Sequence, residues 1–247
     1  MSTRCSISNC VCTFHVTINA TVDLAHLARA VDAVEYSPKK FAAASLRLRH
    51  PKSSALVFSS GAVVVTGAQT EYSALMAGRR YCQLLRQANA DFGFYNFTIQ
   101  NVVGSAKLPG LVKLRELADA CGEHAQYNPD LFPGLVLRFP DQPCAVLLFR
   151  SSSCIVTGGR SSAEVRSVFN QVRDQLLEFV EDGSQALDGG NSAAYAADEM
   201  RQRLLQGARI FLDVDDLESV DALEAYVHDS AVVLILLGSE RYFASAN

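Results

Sequence analysis

The sequence contains an internal repeat, and this duplication constrains the fold more than any other feature. The segment KKFAAASLRLRHPKSSALVFSSGAVVVTGA, from Lys39, matches DLFPGLVLRFPDQPCAVLLFRSSSCIVTGG, from Asp130. Four distinctive residues recur at a constant offset of 91 (132 minus 41, for example): Phe41 as Phe132, Arg47 as Arg138, Phe58 as Phe149 and Thr66 as Thr157. A constant offset over several residue types predicts two copies of one structural unit.

Each copy has the same predicted order of elements. Upstream of the longer match, ISNCVCT echoes IQNVVGS, which pairs Asn9 with Asn101 at an offset of 92 (101 minus 9). Hydrophobic periodicity then predicts a strand, a helix, three strands and a second helix. In the first copy these are strands 9–16, 41–49, 55–59 and 62–67, with helices 23–34 and 71–89. In the second copy the first strand is 97–105 and the helices are 112–121 and 162–180. The β-α-β-β-β-α order predicts an α+β fold, in which the helices cover one face of an antiparallel sheet.

Strand alternation predicts which residues lie on the face of the sheet that the helices leave uncovered. Residues i and i+2 share a face, so Leu56 lies beside Phe58, and Leu147 beside Phe149. The face without helices is therefore predicted to be apolar, with two asparagines and two threonines near its middle. Basic residues are expected at its edges: Lys40, Arg47, Arg49, Lys52 and Arg138. Large apolar patches on a surface usually mark binding sites.

Composition excludes several classes of protein. The 247 residues are 49% hydrophobic and 19% charged, which is enough for a core and is not a disordered composition. No apolar run of about 18 residues occurs, so a membrane span is not expected. The seven cysteines form no C-x-x-C pair and the five histidines have no metal-ligand spacing, so we expect a reduced intracellular protein without a metal site or cofactor.

Charge and glycine content mark a boundary near residue 180. Residues 1–180 carry 18 basic and 13 acidic residues, a net charge of +5, whereas residues 181–247 carry 4 and 13, a net charge of −9. The stretch EDGSQALDGGN at the boundary has the composition of a linker. The predicted organisation is therefore repeat one at 7–93, repeat two at 94–180, a linker at 181–191 and an α/β segment at 192–247.

Five segments together resemble the TATA-box-binding protein family. They are EYSPKKFAAASLRLRHP, ALVFSSGAVVVTGA, FTIQNVVGS, YNPDLFPGL and AVLLFRSSSCIVTGG, which occur in family order and span most of residues 7–180. The resemblance implies a pseudo-twofold saddle, in which one curved antiparallel sheet carries four helices on its convex face. It also implies that the concave face binds and bends A·T-rich, TATA-like promoter DNA through the minor groove.

The resemblance assigns roles to individual residues. The family's DNA-intercalating phenylalanines fall on Phe41, Phe58, Phe132 and Phe149. The minor-groove residues fall on Asn9, Val11, Leu56, Val64, Thr66, Asn101, Val103, Pro133, Leu147, Ile155 and Thr157. The edge residues Lys40, Arg47, Arg49, Lys52 and Arg138 become phosphate contacts. The protein partners of the family fall on Asn128, Asp130 and Leu131, and on Arg79 and Arg80 of the second predicted helix.

The family implies a nuclear general transcription initiation factor, which is not an enzyme. Its expected partners are double-stranded DNA, general transcription factors of the A and B types, TBP-associated factors and the RNA polymerase machinery, with no membrane. The chain departs from the family pattern at Asp141, Gln142 and Pro143, where the family tends to be basic, and at Asn128, where the partner surface is usually acidic. It is identified as a divergent member.

Alternatives remain at this point. A strand phenylalanine is usually a core residue, and the acidic run 213–216 is either a solvated strand end or a magnesium site. The segment IFLDVDDLESVDALEAYVHDSAVVLILLGSERYFAS resembles part of a Toll/interleukin-receptor-like (TIR) domain, without the catalytic glutamate of NAD-cleaving members. The alternative function is therefore a scaffold with weak DNA binding, which acts through protein partners and its TIR-like tail.

Overall fold

The computed structural model describes residues 3–39, 41–129 and 132–181. Within them, the chain forms two compact units. The N-terminal unit comprises residues 7–102, and the C-terminal unit comprises residues 3–6 and 103–181. The two units are described separately below.

The N-terminal unit follows the predicted β-α-β-β-β-α order. Its elements are β1 (Ser6–His15), α1 (Leu24–Ala30), β2 (Val34–Glu35), β3 (Ala44–Arg49), β4 (Lys52–Val57), β5 (Ala62–Ala68), α2 (Glu71–Leu85) and the first part of β6 (Tyr95–Lys107). The strands lie in the order β2-β3-β4-β5-β1-β6. The pairs β2–β3, β3–β4, β4–β5 and β1–β5 are antiparallel.

Local capping explains where the helices of this unit begin. The Asp23 carboxylate accepts a hydrogen bond from the backbone N–H of His26 at 2.9 Å, which satisfies one of the free donors at the start of α1. The same hydrogen bond holds the pKa of Asp23 below its usual value. At α2, the Thr70 and Ser73 side chains cap each other's backbone N–H in a reciprocal capping box.

Helix α2 packs on one face of the sheet through a buried tyrosine. The Tyr81 hydroxyl donates to the Ser53 carbonyl oxygen at 2.7 Å, and the Cys12 thiol donates to the Ala74 carbonyl oxygen. In β4, Ser53, Ala55 and Val57 are buried, so alternate residues of this strand face α2. The remaining residues of β4 therefore face the other way.

The C-terminal unit repeats the arrangement. Its elements are the second part of β6, β7 (Leu111–Val112), α3 (Leu114–Cys121), a 3₁₀ turn (Gly122–His124), β8 (Ala125–Gln126), β9 (Leu135–Arg138), β10 (Ala145–Leu148), β11 (Ser153–Gly159), α4 (Ser162–Glu178) and β12 (Val180–Glu181). The sheet order is β6-β11-β10-β9-β8, and β12 pairs separately with β7. Ser161 caps α4 at the position that Thr70 occupies in the first repeat.

The predicted α+β class and the antiparallel sheet with four helices are confirmed, whereas several boundaries are wrong. Helix α1 ends at Ala30 rather than residue 34, because Val31 is extended and Val34 pairs with Leu46. Strand β3 begins at Ala44 rather than at Phe41, because the Phe41 N–H donates to the Ser37 carbonyl oxygen in a turn. Residues 182–247 lie outside the described residues, with most of the predicted linker and the segment that resembles a TIR domain.

Candidate nucleic-acid interface

The groove face is the face of the N-terminal sheet that points away from α2, and it includes Ser54 and Leu56 of β4 with the residues opposite them in β3 and β5. Directly opposed residues of antiparallel strands share a face, so the register defines this surface. Leu56 is opposite Ser45 on one side and Val64 on the other, and Ser54 is opposite Arg47 and Thr66. The predicted combination of apolar, polar and basic residues on one face is therefore present in this unit.

Asn9 and Thr66 form the polar centre of this face. The backbone N–H of Gly67 donates to Asn9 Oδ1 at 2.7 Å, which fixes the oxygen end of the amide. Asn9 Nδ2 then lies 3.1 Å from Thr66 Oγ1. Gly67 has φ +97, and a side chain there would press on the Ser53 backbone, so glycine suits the close approach. The network orients one amide nitrogen and one hydroxyl together.

An apolar cluster lies on the same side of the sheet. Val11 and Val64 are buried, and Leu56 and Phe58 are half-buried against them. Val11 sits where the β1–β5 register shifts between Cys10 and Cys12. Phe58 directly follows β4, at the end of the cluster. The first-repeat groove residues predicted from the sequence are thus brought together.

Basic side chains lie at the outer end of the β3–β4 hairpin. Arg47, Arg49 and Lys52 are exposed, and Arg49 is opposite Lys52 in the register. Because Arg47 is opposite Ser54, it belongs to the groove face. Lys40, the fifth predicted phosphate contact, lies outside the described residues.

The C-terminal unit carries the equivalent face. Leu147 is opposite Ile155 and Val136, and Ala145 is opposite Thr157 and Arg138. This face is more deeply buried than its counterpart, because Leu147 is 0% and Thr157 1% exposed, whereas Leu56 and Thr66 are half-buried. Arg138 is exposed and Ile155 and Pro133 are half-buried. Val103 is buried in this unit, and Asn101 is buried in the N-terminal unit.

Phe132 and Phe149 form an aromatic pair in the C-terminal unit. Their ring centroids are 5.8 Å apart with an interplanar angle of 70°, which is an edge-to-face contact. A Cβ at Gly134 would lie 2.6 Å from Phe132 Cε1 and 3.0 Å from Phe149 Cε1. The absence of a side chain at Gly134 therefore allows the two rings to pack closely. Ala43 is the equivalent residue in the first repeat.

The turns that hold the four phenylalanines are repeated. The N–H of Phe132 donates to the Asn128 carbonyl oxygen, as that of Phe41 does to Ser37. Phe58 and Phe149 each begin a tight turn, and the third residue after each has a positive φ: Gly61 at +85 and Ser152 at +71. All four rings are half-buried. The phenylalanines are thus placed by turns at strand ends and not within the strands.

The predicted partner surfaces are only partly described. Asn128 is exposed, whereas Asp130 and Leu131 lie outside the described residues. Arg79 and Arg80 are exposed on α2. Met76, one turn earlier, is 40% exposed, and Tyr72, two turns earlier, is 72% exposed. The equivalent helix α4 has Ala163 and Ser167 at the Tyr72 and Met76 positions. The apolar and cationic stripe on α2 was not predicted in full, although the exposed helical spacing of Tyr72 and Met76 signals it.

Several polar residues of the groove face were missed. Ser45, Ser54, Thr13 and His15 share it, since they are opposite Leu56, Thr66, Val64 and Ala62. The alternation of KSSALV already indicates Ser54. The Nδ1 atom of His15 is buried without a hydrogen-bond partner within the described part of the chain.

Five of the seven cysteines are buried, whereas Cys5 and Cys121 are half-buried. Burial raises the pKa of Cys10, Cys12 and Cys154 to about 12 and that of Cys144 to about 11. Residues 3–39, 41–129 and 132–181 contain no group of histidine, cysteine and acidic residues that could hold a metal ion. In the same ranges, no helix is long and apolar enough to cross a membrane.

The fold and the groove face define a class of protein: a duplicated β-α-β-β-β-α module whose sheet combines asparagine, threonine, apolar and basic residues on one face. The sequence pattern of the family described as "Transcription factor TFIID (or TATA-binding protein, TBP)" matches residues 4–88 and 96–179. The chain belongs to this family of transcription factors, and it is not an enzyme.

Individual relatives agree with this assignment. The chain is 36% identical over 172 residues to TATA-box-binding protein-like 1 of Entamoeba histolytica, which covers 70% of this chain and 79% of that protein. It is 36% identical over 174 residues to the TATA-box-binding protein of Candida albicans, at 70% and 72% coverage. The solved structure of Methanococcus jannaschii TBP matches with a TM-score of 0.57 and 29% identity, over 71% of this chain and 99% of that one. The family match does not reach 192–247, so it gives the TIR resemblance no support.

Proposed function

We propose that this transcription factor binds A·T-rich, TATA-like promoter DNA through the minor groove, bends it, and nucleates assembly of the preinitiation complex. The observation that carries the proposal is the oriented pair Asn9–Thr66 beside the Val11–Val64 apolar cluster. Members of one family share a fold, but the chemistry of this face is what connects the fold to DNA.

The polar centre fits the chemistry of the minor groove. A·T pairs present only the acceptors adenine N3 and thymine O2 there, whereas a G·C pair adds the guanine amino donor. The Gly67 N–H engages Asn9 Oδ1, and one N–H of Asn9 Nδ2 donates to Thr66 Oγ1, so the second N–H of the amide is the group that remains to donate. The apolar side chains of Val11, Val64 and Leu56 offer no acceptor for a guanine amino group. The face therefore favours A·T pairs.

The paired phenylalanines fit the role of wedges. Insertion of an apolar side chain between base pairs costs a few kcal/mol for each unstacked step, and the wider contact on bent DNA offsets that cost. Phe132 and Phe149 already pack edge to face, so they enter as one preorganised wedge. Flexible TA steps lower the deformation energy, which favours TATA-like sequences.

The basic edge residues supply phosphate contacts, and the first repeat supplies more of them than the second. The first repeat offers exposed Arg47, Arg49 and Lys52, whereas the second offers Arg138 and an exposed acidic Asp141. Each contact that is missing lowers the salt dependence of binding by roughly 0.9 in the log–log slope. We expect weaker and less salt-dependent binding than a more basic second repeat would give.

Protein partners are proposed for two surfaces. Asn128, with Asp130 and Leu131, is the docking site proposed for a B-type general factor. The α2 stripe of Tyr72, Met76, Arg79 and Arg80 is a site for an acidic partner, such as an A-type factor or a TBP-associated factor. Assembly with RNA polymerase and location in the nucleus follow from the same proposal.

Duplexes that differ in the chemical groups of their minor groove test the proposal. Affinity is measured for three duplexes: a TATA duplex, one in which the central A·T pairs are replaced by G·C, and one in which they are replaced by inosine·C. Inosine·C lacks the guanine amino group but keeps the major-groove face of G·C. We expect G·C to weaken binding by at least tenfold and inosine·C to restore most of it. Equal affinity for all three duplexes contradicts the proposal.

The scaffold alternative is not favoured, although the exposed acidic Asp141 of the second repeat is consistent with weaker DNA binding. It requires loss of DNA-binding residues, but all four phenylalanines and both asparagine–threonine sets are present in the sequence. Its other component, a TIR-like tail, lies outside the described residues.

A further inference from the structure

We propose that the acidic C-terminal segment, residues 182–247, docks on the groove face and competes with DNA for it. This inference rests on the proposed function, because it concerns the regulation of the same face. The occupant is part of the chain itself, so no further protein is needed.

Charge complementarity is the first argument. On the groove face, the described strand positions include the basic residues Arg47, Arg49 and Lys52 and the acidic residue Glu35, which is opposite Ser45, so basic residues outnumber acidic ones there. Residues 182–247 contain 12 acidic and 4 basic residues, a net charge of −8. A surface that attracts a phosphate backbone also attracts a tethered carboxylate-rich segment.

The spacing of residues in the segment is the second argument. In DVDDLESVDALE, from Asp213 to Glu224, an apolar residue occurs at every third position and carboxylates lie between them. The groove face has the matching arrangement, with the Val11–Val64 cluster flanked by arginine and lysine. The segment can thus bury apolar side chains and place carboxylates near guanidinium groups.

The length of the chain is the third argument. Strand β12 ends at Glu181, which pairs with Leu111, and 31 residues separate it from Asp213 (182 to 212). Fully extended, a chain of that length spans at most about 100–110 Å. The length of the chain between Glu181 and Asp213 therefore does not prevent the segment from reaching the groove face.

Tethering makes the competition effective. A linked segment has an effective local concentration in the millimolar range, so even a weak contact of about 0.1 mM occupies the face most of the time. DNA must displace the segment, which weakens its apparent affinity by about tenfold at low salt. The contact is electrostatic, so the difference shrinks as salt rises.

The test uses the full chain. A specific protease site is inserted between Gly189 and Gly190, and the affinity for a TATA duplex is measured at nanomolar protein before and after cutting, at low and high salt. We expect cutting to tighten binding by about tenfold at low salt and by less than twofold at high salt, because the released segment is diluted far below its effective concentration.

A charge variant separates docking from a general change in net charge. Asp213→Asn, Asp215→Asn, Asp216→Asn and Glu218→Gln are introduced together in the full chain. The control neutralises four exposed residues elsewhere: Asp32→Asn, Asp91→Asn, Asp119→Asn and Glu123→Gln. We expect the first variant to bind DNA several-fold more tightly than the control.

Three results overturn the inference, and they are distinguishable. Equal affinity before and after cutting, or equal gains in the two charge variants, contradicts docking and leaves the proposed function standing. No binding of the duplex by either the intact or the cut chain at low salt contradicts the proposed function, and the docking proposal fails with it.

Discussion

Phe132 and Phe149 pack edge to face with their ring centroids 5.8 Å apart. The residue beside both rings is Gly134, where a side chain would push the rings apart. The pair joins two turns that are distant in sequence, one before β9 and one after β10. Because the rings are packed before any partner binds, little side-chain entropy is left to lose on insertion. The second repeat thus holds the two rings of the proposed wedge together before DNA binds.

Replacement of Gly134 by alanine tests this packing. The added Cβ would lie 2.6 Å from Phe132 Cε1, so at least one ring must rotate away. We expect a loss of stability of about 1 kcal/mol, because the displaced atoms are the far ends of side chains. Urea unfolding measures the stability, and DNA bending falls more than DNA binding. Ala43→Gly, at the equivalent position, is the matched variant and leaves the Phe132–Phe149 pair untouched. Unchanged bending by Gly134→Ala contradicts the wedge role of the pair.

The substitution Asn9→Asp is expected to weaken DNA recognition while the protein still folds. The new carboxylate still accepts the Gly67 N–H, but it replaces the donating NH₂ group with an acceptor that repels minor-groove acceptors. We expect affinity for a TATA duplex to fall by at least a hundredfold, while the far-ultraviolet circular dichroism spectrum is retained.

Thr66 provides the control for that experiment. Thr66→Ser keeps the hydroxyl that Asn9 Nδ2 contacts, so it should retain most of the affinity. Thr66→Val removes the hydroxyl and leaves the amide without that partner, at a cost of about 1–3 kcal/mol in stability. Equal DNA affinity for Asn9→Asp and the unchanged chain would remove this pair from the recognition site.

Ser152→Gly is expected to stabilise the protein. Ser152 has φ +71, in the left-handed region that costs a residue with a side chain roughly 1 kcal/mol relative to glycine. The gain should be about 0.5–1 kcal/mol in chemical unfolding, because glycine also increases the entropy of the unfolded chain. The reciprocal change Gly61→Ala should destabilise, since φ is +85 and a Cβ would lie 2.6 Å from Thr17 Cγ2. A stabilising Gly61→Ala is incompatible with this account of the turns.

Alkaline pH should destabilise the fold through its buried thiols. Burial raises the pKa of Cys10 and Cys12 to about 12, whereas an unfolded cysteine titrates near about 8.5. The unfolded state therefore loses its protons first, so the stabilising contribution is complete below about pH 8.5 and is lost as pH rises toward 12.

The urea midpoint measures this effect. We expect it to fall between about pH 8.5 and 10.5, and to fall less steeply in the Cys10→Ala, Cys12→Ala double variant. The variant has a lower midpoint at pH 7 because of the cavity, so the comparison is of slopes. Identical slopes would show that these thiols do not contribute.

The order of elements was predictable because the repeat supplies two independent examples of one pattern. Asp23, Thr70 and Ser161 cap helices where the sequence predicts a start, since their side chains act on neighbouring N–H groups. Helix ends were less predictable. Val31 and Val34 fit a helical stripe and an extended segment equally well, and the contact of Val34 with Leu46 decides between them.

The candidate site was predictable in composition but not in local geometry. Alternation placed Leu56 and Val64 on one face, but it also placed Phe41 inside a strand, although a turn holds it. The hydrogen bond from Gly67 to Asn9 depends on a positive φ, which no periodicity reveals. Two-residue strands such as β2 and β12 carry no periodic signal, so only tertiary contacts define them.

The central claim is that this face bends TATA-like DNA, and end-to-end energy transfer on a doubly labelled duplex measures it directly. The full chain is titrated onto TATA and G·C-substituted duplexes at low salt, with Phe149→Ala as the variant that removes half of the second wedge. The account predicts a rise in transfer with the TATA duplex, a much smaller rise with the substituted duplex, and loss of most of the rise in Phe149→Ala. Binding of the TATA duplex without any change in end-to-end distance would contradict it.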